Sequence, residues 1–146
     1  MANETMQKFG YPATLIREYE HWAVLLRPAQ VTLGSLVLAA KSDATAFGKL
    51  PAAAHAELAT VTEEIEATLL AEIGYERINY LMLMMVDPNV HFHVIPRYSE
   101  TKTLEDVTVG DAGWPGVPDL KSAPSLDAAA LERLRTRIAR NWLTDG

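Results

Sequence analysis

One stretch of the chain reads Asn89-Val90-His91-Phe92-His93-Val94-Ile95-Pro96-Arg97, with polar and apolar side chains in near alternation. In an extended strand, successive side chains point to opposite faces. One face of this strand therefore carries a mostly polar set of side chains, namely Asn89, His91, His93, Ile95 and Arg97. A buried strand face is ordinarily apolar, so a polar face with two neighbouring histidines needs an explanation.

The composition limits the classes of protein to which the chain can belong. Its 146 residues, 49% hydrophobic and 22% charged, predict a single globular domain over residues 1–146. The net charge of −6 argues against binding to a nucleic-acid backbone, although a small anionic ligand remains possible. The absence of cysteine excludes disulfides and thiolate metal sites. No stretch resembles a signal peptide or membrane span, so the cytoplasm is the expected location and no membrane partner is expected.

The hydrophobic pattern predicts an α+β fold. Residues 1–12 are expected to form a loosely tied N-terminal arm, and residues 99–146 a C-terminal loop and helix. Strands are predicted at residues 14–19, 22–27, 35–40, 77–86 and 89–97, and helices at 44–49, 51–73 and 126–143. This order predicts an antiparallel sheet of about five strands, with one long helix packed on it and a C-terminal helix.

The segment before the histidine strand is almost continuously apolar over residues 77–86, which predicts a strand buried on both faces. Asp87-Pro88 breaks it, so the two strands are expected to pair as an antiparallel hairpin. The turn-rich segment 111–119 carries Trp114 and has two open interpretations. It is either a lid or a dimer contact, or it packs one tryptophan on the surface.

A pair of histidines on one strand face suits phosphoryl chemistry. Neutral imidazole is nucleophilic near physiological pH, and it can attack phosphorus and later leave, dividing one displacement into two. The second histidine can donate a hydrogen bond to the same phosphate, and Arg97 can neutralise its charge. Two alternatives stay open. His-x-His also occurs in zinc and iron sites, although no third ligand is evident, and two histidines can simply be satisfied within a core.

The same stretch carries a family resemblance. The sequence from Asn89 to Arg97 resembles the signature of the histidine triad (HIT) family, in which three histidines alternate with apolar residues and Pro-Arg often follows. The resemblance extends back to about Leu15, and Leu33-Gly34-Ser35-Leu36-Val37-Leu38 resembles the family's Pro-Gly-His segment and the apolar residues after it. Further matches to the branch with a short loop before the triad are Asn79 and Pro88.

This resemblance implies a HIT-like nucleotide-binding domain that forms a homodimer. It implies hydrolysis or nucleotidyl transfer at the α-phosphate, with substrates such as diadenosine polyphosphates or nucleoside phosphoramidates. His91 matches the nucleophile, and His93 matches the histidine that binds or polarises the phosphate. No metal is implied at the protein, although Mg²⁺ can accompany a polyphosphate substrate. The residues that the resemblance and the strand pattern assign to substrate binding are Asn89, Asn79, Ser35 and Arg97.

The chain departs from the family pattern at several of these positions. Asn89 replaces the first histidine of the triad and cannot titrate, and Ser35 replaces the upstream histidine. Met84-Met85 stands where the short-loop branch has Gly-Asn. Arg27 lies in the region where the family often has an acidic residue for ribose. The nucleophile is thus kept while the pocket is changed, and a non-catalytic nucleotide-binding protein is the alternative function.

Overall fold

A five-stranded antiparallel sheet forms the centre of residues 2–144, the part of the chain that the computed structural model describes. The strand order is β1-β2-β3-β5-β4. The bounds of the strands are Leu15–Glu18 (β1), Trp22–Leu26 (β2), Leu36–Ala40 (β3), Arg77–Leu81 (β4), His91–Arg97 (β5), Lys102–Leu104 (β6) and Val107–Val109 (β7). The helices are Glu4–Lys8 (α1), Ala52–Glu72 (α2) and Ala128–Arg140 (α3). The predicted α+β class and the sheet of about five strands are confirmed.

The main core lies between the sheet and α2. Val61, Ile65 and Leu69 recur at helical spacing and are buried against the sheet. From the other side, Trp22 is fully buried, and its indole Nε1 donates to the carbonyl of Ala54 at 2.8 Å. Burying one aliphatic side chain such as Ile65 or Leu69 stabilises the fold by about 1.5–3 kcal/mol.

The N-terminal arm differs from the prediction, because it folds as α1 and packs on the opposite face of the sheet. Asn3 caps this helix by accepting from the backbone N–H of Met6 at 2.9 Å. Its amide also donates to the carbonyls of Ala40 and Ser42. Met6 is buried in a small second cluster with alanine, valine and leucine side chains from β2 and β3. The residues 2–10 are therefore attached to the sheet and not loosely tied.

The apolar segment before the histidine strand also differs from the prediction. β4 ends at Leu81 and is an outermost strand of the sheet, where it pairs antiparallel with β5 as expected. The rest of the apolar run forms a loop, in which Met84 has a positive φ of 50° and Met85 and Val86 are 87% and 80% exposed. An unbroken apolar run does not by itself distinguish a central strand from an edge strand followed by an apolar loop.

The C-terminal third contains the small hairpin β6–β7 and helix α3. Asp127 caps α3 by accepting from the N–H of Ala130 at 2.7 Å, so the helix begins two residues later than predicted. The short helix predicted at 44–49 is a single 3₁₀ turn at Phe47–Lys49. Within residues 2–144, none of the helices combines the length and apolar character that crossing a bilayer requires.

Candidate active site around two histidines

The two histidines of β5 lie side by side on the face of the sheet opposite α2. Their ring centroids are 5.1 Å apart, and the rings are nearly perpendicular. On the neighbouring strand β3, His91 is opposite Ala39 and His93 is opposite Val37. Small side chains at these two positions leave room for the imidazole rings on this face. The strand alternation thus places the rings together as the sequence predicted.

The backbone fixes the tautomer of His91. Its Nδ1 lies 2.8 Å from the carbonyl oxygen of Asn89. A carbonyl oxygen can only accept a hydrogen bond, so Nδ1 must carry the proton. The lone pair of neutral His91 is therefore on Nε2, and the ring lines a cavity although the residue is only 1% exposed. This is the arrangement that nucleophilic attack by Nε2 requires.

An arginine fixes the opposite tautomer of His93. The Nε–H of Arg27 donates to Nδ1 of His93 at 3.3 Å. Guanidinium has no acceptor atom, so Nδ1 must accept and neutral His93 carries its proton on Nε2. Burial lowers the pKa of His93 to about 4, and the charges of Arg27 and His91 act in the same direction. At neutral pH, His93 is thus an uncharged hydrogen-bond donor.

The two rings share a cavity of about 390 Å³. One wall is apolar and combines Phe9 with the exposed loop 83–86. The Phe9 ring centroid lies 5.7 Å from those of His91 and His93. The charged groups of the lining are Arg27, Lys8 and Asp87, and the last two form an ion pair at 2.9 Å. Since that pair is neutral overall, Arg27 gives the cavity a positive balance, which favours an anionic ligand with an apolar part.

The side chain of Asn89 forms hydrogen bonds within the protein. Its Oδ1 accepts from the backbone N–H and the hydroxyl of Thr5, at 3.2 and 3.1 Å. Its Nδ2 donates to the carbonyl of Asp43 at 3.0 Å. Asn89 therefore attaches α1 to the sheet through its side chain, and it orients His91 through its main chain. A direct contact between its side chain and substrate stays a prediction.

The other predicted substrate-binding residues lie apart from the histidines. Arg97 is 4% exposed and pairs with Asp111 at 2.7 Å, while its Nη1 donates to Asn79 Oδ1 at 2.8 Å. Four residues of strand separate Arg97 from His93, which is about 13 Å. Arg97 and Asn79 instead line a separate cavity of about 600 Å³ beside Trp114.

Ser35 is buried in the turn that precedes β3. Its hydroxyl donates to the carbonyl of Thr32 at 2.8 Å and accepts from the N–H of the same residue at 3.0 Å. The structure thus brings His91 and His93 into one cavity, and it gives Ser35, Asn79 and Arg97 internal hydrogen bonds elsewhere. Substrate binding by these three residues stays a prediction.

Three residues of the cavity were not predicted from the sequence as site residues. Arg27 comes directly after β2, where alternation places it on the same face as Ala23 and Leu25. Only the strand register across β3 shows that this face continues to His93. Lys8 and Phe9 were missed because the arm that contains them was expected to be loose. Within residues 2–144, no group of three His, Asp or Glu side chains is arranged to hold a metal ion.

Comparison with known proteins identifies the fold. No family model and no curated protein matches this sequence. Among solved structures, a histidine triad protein from Sinorhizobium meliloti superposes with a TM-score of 0.74 at 23% identity, over 97% of this chain and 96% of that one. A histidine triad protein from Bradyrhizobium japonicum gives 0.72 at 17% identity, over 98% of each chain.

A third solved structure is a zinc-bound histidine triad family protein from Mycobacterium smegmatis. It gives a TM-score of 0.57 at 21% identity, over 88% of this chain and 86% of that one. Similarity at this level of identity establishes the fold. The chain therefore has the fold of histidine triad proteins.

Proposed function

We propose that this chain, which has the histidine triad fold, is a nucleotide hydrolase or nucleotidyl transferase that acts at the α-phosphate through His91. The observation that carries the proposal is the bond from His91 Nδ1–H to the Asn89 carbonyl, at 2.8 Å, in a ring that lines a cavity. In neutral His91, that bond leaves the lone pair on Nε2, the atom that we propose attacks phosphorus. We place the chain in the histidine triad family on the combined grounds of the fold and the Asn89–Arg97 motif.

The proposed reaction has two displacements. In the first, the Nε2 lone pair of His91 attacks the α-phosphorus, an N–P bond forms, and the P–O bond to the leaving group breaks with its electron pair on oxygen. Nδ1 keeps its proton and the Asn89 bond, so the intermediate is a nucleotidyl-imidazolium in which the positive ring is bonded to a negatively charged phosphoryl group. In the second, water or another acceptor attacks phosphorus, the N–P pair returns to Nε2, and the acceptor's proton passes to solvent.

The neighbouring groups support charge development on the phosphate. His93 is oriented to donate from Nε2, and its low pKa keeps it neutral, so it acts as a hydrogen-bond donor to a phosphoryl oxygen. The apolar wall of Phe9 and Met84 suits a nucleobase or another flat group. We therefore propose nucleotide derivatives as the substrate class, including dinucleoside polyphosphates, which Mg²⁺ can accompany.

Trapping of the intermediate tests this function. Purified protein is mixed with diadenosine tetraphosphate labelled at the α-phosphate and quenched at alkaline pH. We expect a protein-bound label that is released by acid, because phosphoramidates of histidine are acid-labile. His91→Ala should lose the label completely, whereas the control His55→Ala, on the helix α2, should keep it. An adduct of undiminished yield in His91→Ala would exclude His91 as the nucleophile.

A second candidate function is nucleotide binding without turnover, which two observations favour. His91 is almost fully buried, and Phe9 contacts both imidazole rings. In addition, Asn89 replaces the first histidine of the triad, and its amide cannot take part in proton transfer. A binding protein would gain thermal stability with adenosine monophosphate, by mass action, and yet form no labelled adduct with any of the tested nucleotides.

A further inference from the structure

Arg27 has hydrogen bonds that use only part of its guanidinium group. Its Nε–H donates to His93 and its Nη1–H donates to the carbonyl of Ala29 at 2.6 Å. Nη2 has no partner among residues 2–144. Because every fully buried side-chain nitrogen and oxygen in that range has a hydrogen-bond partner, Nη2 must be accessible to solvent. Arg27 is also one of the residues that line the histidine cavity.

The charge of Arg27 also lacks a partner within the described part of the chain. No carboxylate of residues 2–144 forms an ion pair with it, and Asp87, the acidic residue of the cavity lining, pairs with Lys8. Burial lowers the pKa of Arg27, but a guanidinium group stays protonated at neutral pH. A half-buried cation without a counter-ion is unfavourable, and an anionic ligand in the cavity would relieve this cost.

We propose that Arg27 is the anion-binding residue of this site and that it also positions His93, by holding it in the Nε2–H tautomer. The Nε–H of Arg27 fixes the ring, and its Nη2 binds an oxygen of the substrate's phosphate group. The two donors, Arg27 Nη2 and His93 Nε2, then serve the same phosphate that His91 attacks. The catalytic part of this inference rests on the proposed function, whereas the tautomer and the phosphate binding do not.

The groups around His93 determine how its pKa and tautomer respond when Arg27 is replaced. The charged and titratable groups around the cavity are Arg27 after β2, His91 on β5, Lys8 on α1 and Asp87 in the loop before β5. Replacing Arg27 by methionine removes a nearby positive charge and frees Nδ1 of His93. The pKa of His93 should therefore rise, and the neutral ring should populate both tautomers.

Nuclear magnetic resonance of the imidazole nitrogens in the full chain tests the positioning role. In the wild type, we expect a protonated Nε2 and an unprotonated Nδ1 for His93. Arg27→Met should give averaged nitrogen shifts and a higher pKa, while Arg133→Met, which removes an exposed arginine of α3, should change neither. A proton on Nδ1 in the wild type, or an unchanged tautomer in Arg27→Met, would overturn the positioning role.

Calorimetric titration with inorganic phosphate and with adenosine monophosphate tests the anion-binding role. Arg27→Met should weaken both affinities by about 10- to 100-fold, as expected for a lost charge-assisted hydrogen bond. Arg27→Lys retains the charge, so it should keep part of the affinity but lose the fixed tautomer. Arg133→Met should bind as the wild type does. Equal affinities in Arg27→Met and wild type would refute this role.

These measurements remain decisive if Arg27→Met is unstable. Thermal denaturation identifies that case, and Arg27→Lys then serves as the test. Loss of the fixed His93 tautomer with partial retention of phosphate affinity is expected only if Arg27 uses separate N–H groups for the ring and for the phosphate. Neither measurement needs turnover. A protein that forms no nucleotidyl adduct but shows the predicted tautomer and phosphate affinity would contradict the proposed function and leave the assignment of Arg27 intact.

Discussion

His91 and His93 are chemically identical side chains, and one hydrogen bond each makes them different. The Asn89 carbonyl places the proton of His91 on Nδ1, while the guanidinium of Arg27 places the proton of His93 on Nε2. In the neutral rings, Nε2 of His91 therefore carries a lone pair, whereas Nε2 of His93 carries a proton and is a hydrogen-bond donor. The motif predicts that the two rings lie together, but the difference between them depends on Arg27, which is 66 residues away in the sequence.

The low pKa of His93 makes a prediction about stability. Its pKa is about 4 in the folded protein, against 6.5 as the ordinary value, so the unfolded chain binds this proton first as the pH falls. The free energy of unfolding should thus be highest above pH 6.5 and should decrease from pH 6.5 to 4, by at most about 3 kcal/mol from this residue.

Urea denaturation between pH 4 and 7.5 measures this contribution. Carboxylates titrate in the same range, so the comparison is between the wild type and His93→Gln. The His93→Gln variant should lose less stability on acidification than the wild type does. Parallel pH profiles for the wild type and His93→Gln would show that His93 titrates normally in the folded protein.

At the scale of elements, the sequence predicts most of the secondary structure but not how the N-terminal helix α1 packs. The spacing of Val61, Ile65 and Leu69 predicts α2, and strand alternation predicts β5, because both patterns are local. The packing of α1 on the histidine face was not predicted, since it depends on the long-range hydrogen bonds that Asn3 donates to Ala40 and Thr5 donates to Asn89. The same packing brings Phe9 to the candidate site.

The attachment of α1 to the sheet by Asn89 makes a prediction about stability. Asn89→Ala removes the hydrogen bonds to Thr5 and Asp43 and leaves buried groups unpaired, so it should destabilise the protein by about 1–3 kcal/mol. Hydrogen exchange should also become faster at the backbone N–H groups of α1. Asn141→Ala, at the exposed end of α3, is the control. Unchanged exchange in α1 of Asn89→Ala would mean that other contacts hold the helix.

At the scale of the whole molecule, the outer edges of the sheet are unequal. Along β1, the guanidinium of Arg135 on α3 donates to the carbonyl of Leu15 at 3.0 Å. At the other end of the sheet, β4 has no strand of residues 2–144 on its outer side. The loop that follows β4 exposes Met85 and Val86. An open strand edge beside exposed apolar side chains is a surface that favours pairing with another chain.

We propose that two copies of the chain pair through β4, as the family resemblance implies for a homodimer. Light scattering after size exclusion should give twice the monomer mass, and hydrogen exchange along β4 should slow as the protein concentration rises. Met85→Lys with Val86→Lys should shift the equilibrium toward the monomer, because burying two charges in an interface is unfavourable. Leu70→Lys, on the exposed side of α2, should remain dimeric. Monomer mass for the wild type at all accessible concentrations would contradict the pairing. Loop 83–86 also lines the histidine cavity, so a dimer contact there would connect assembly with ligand binding.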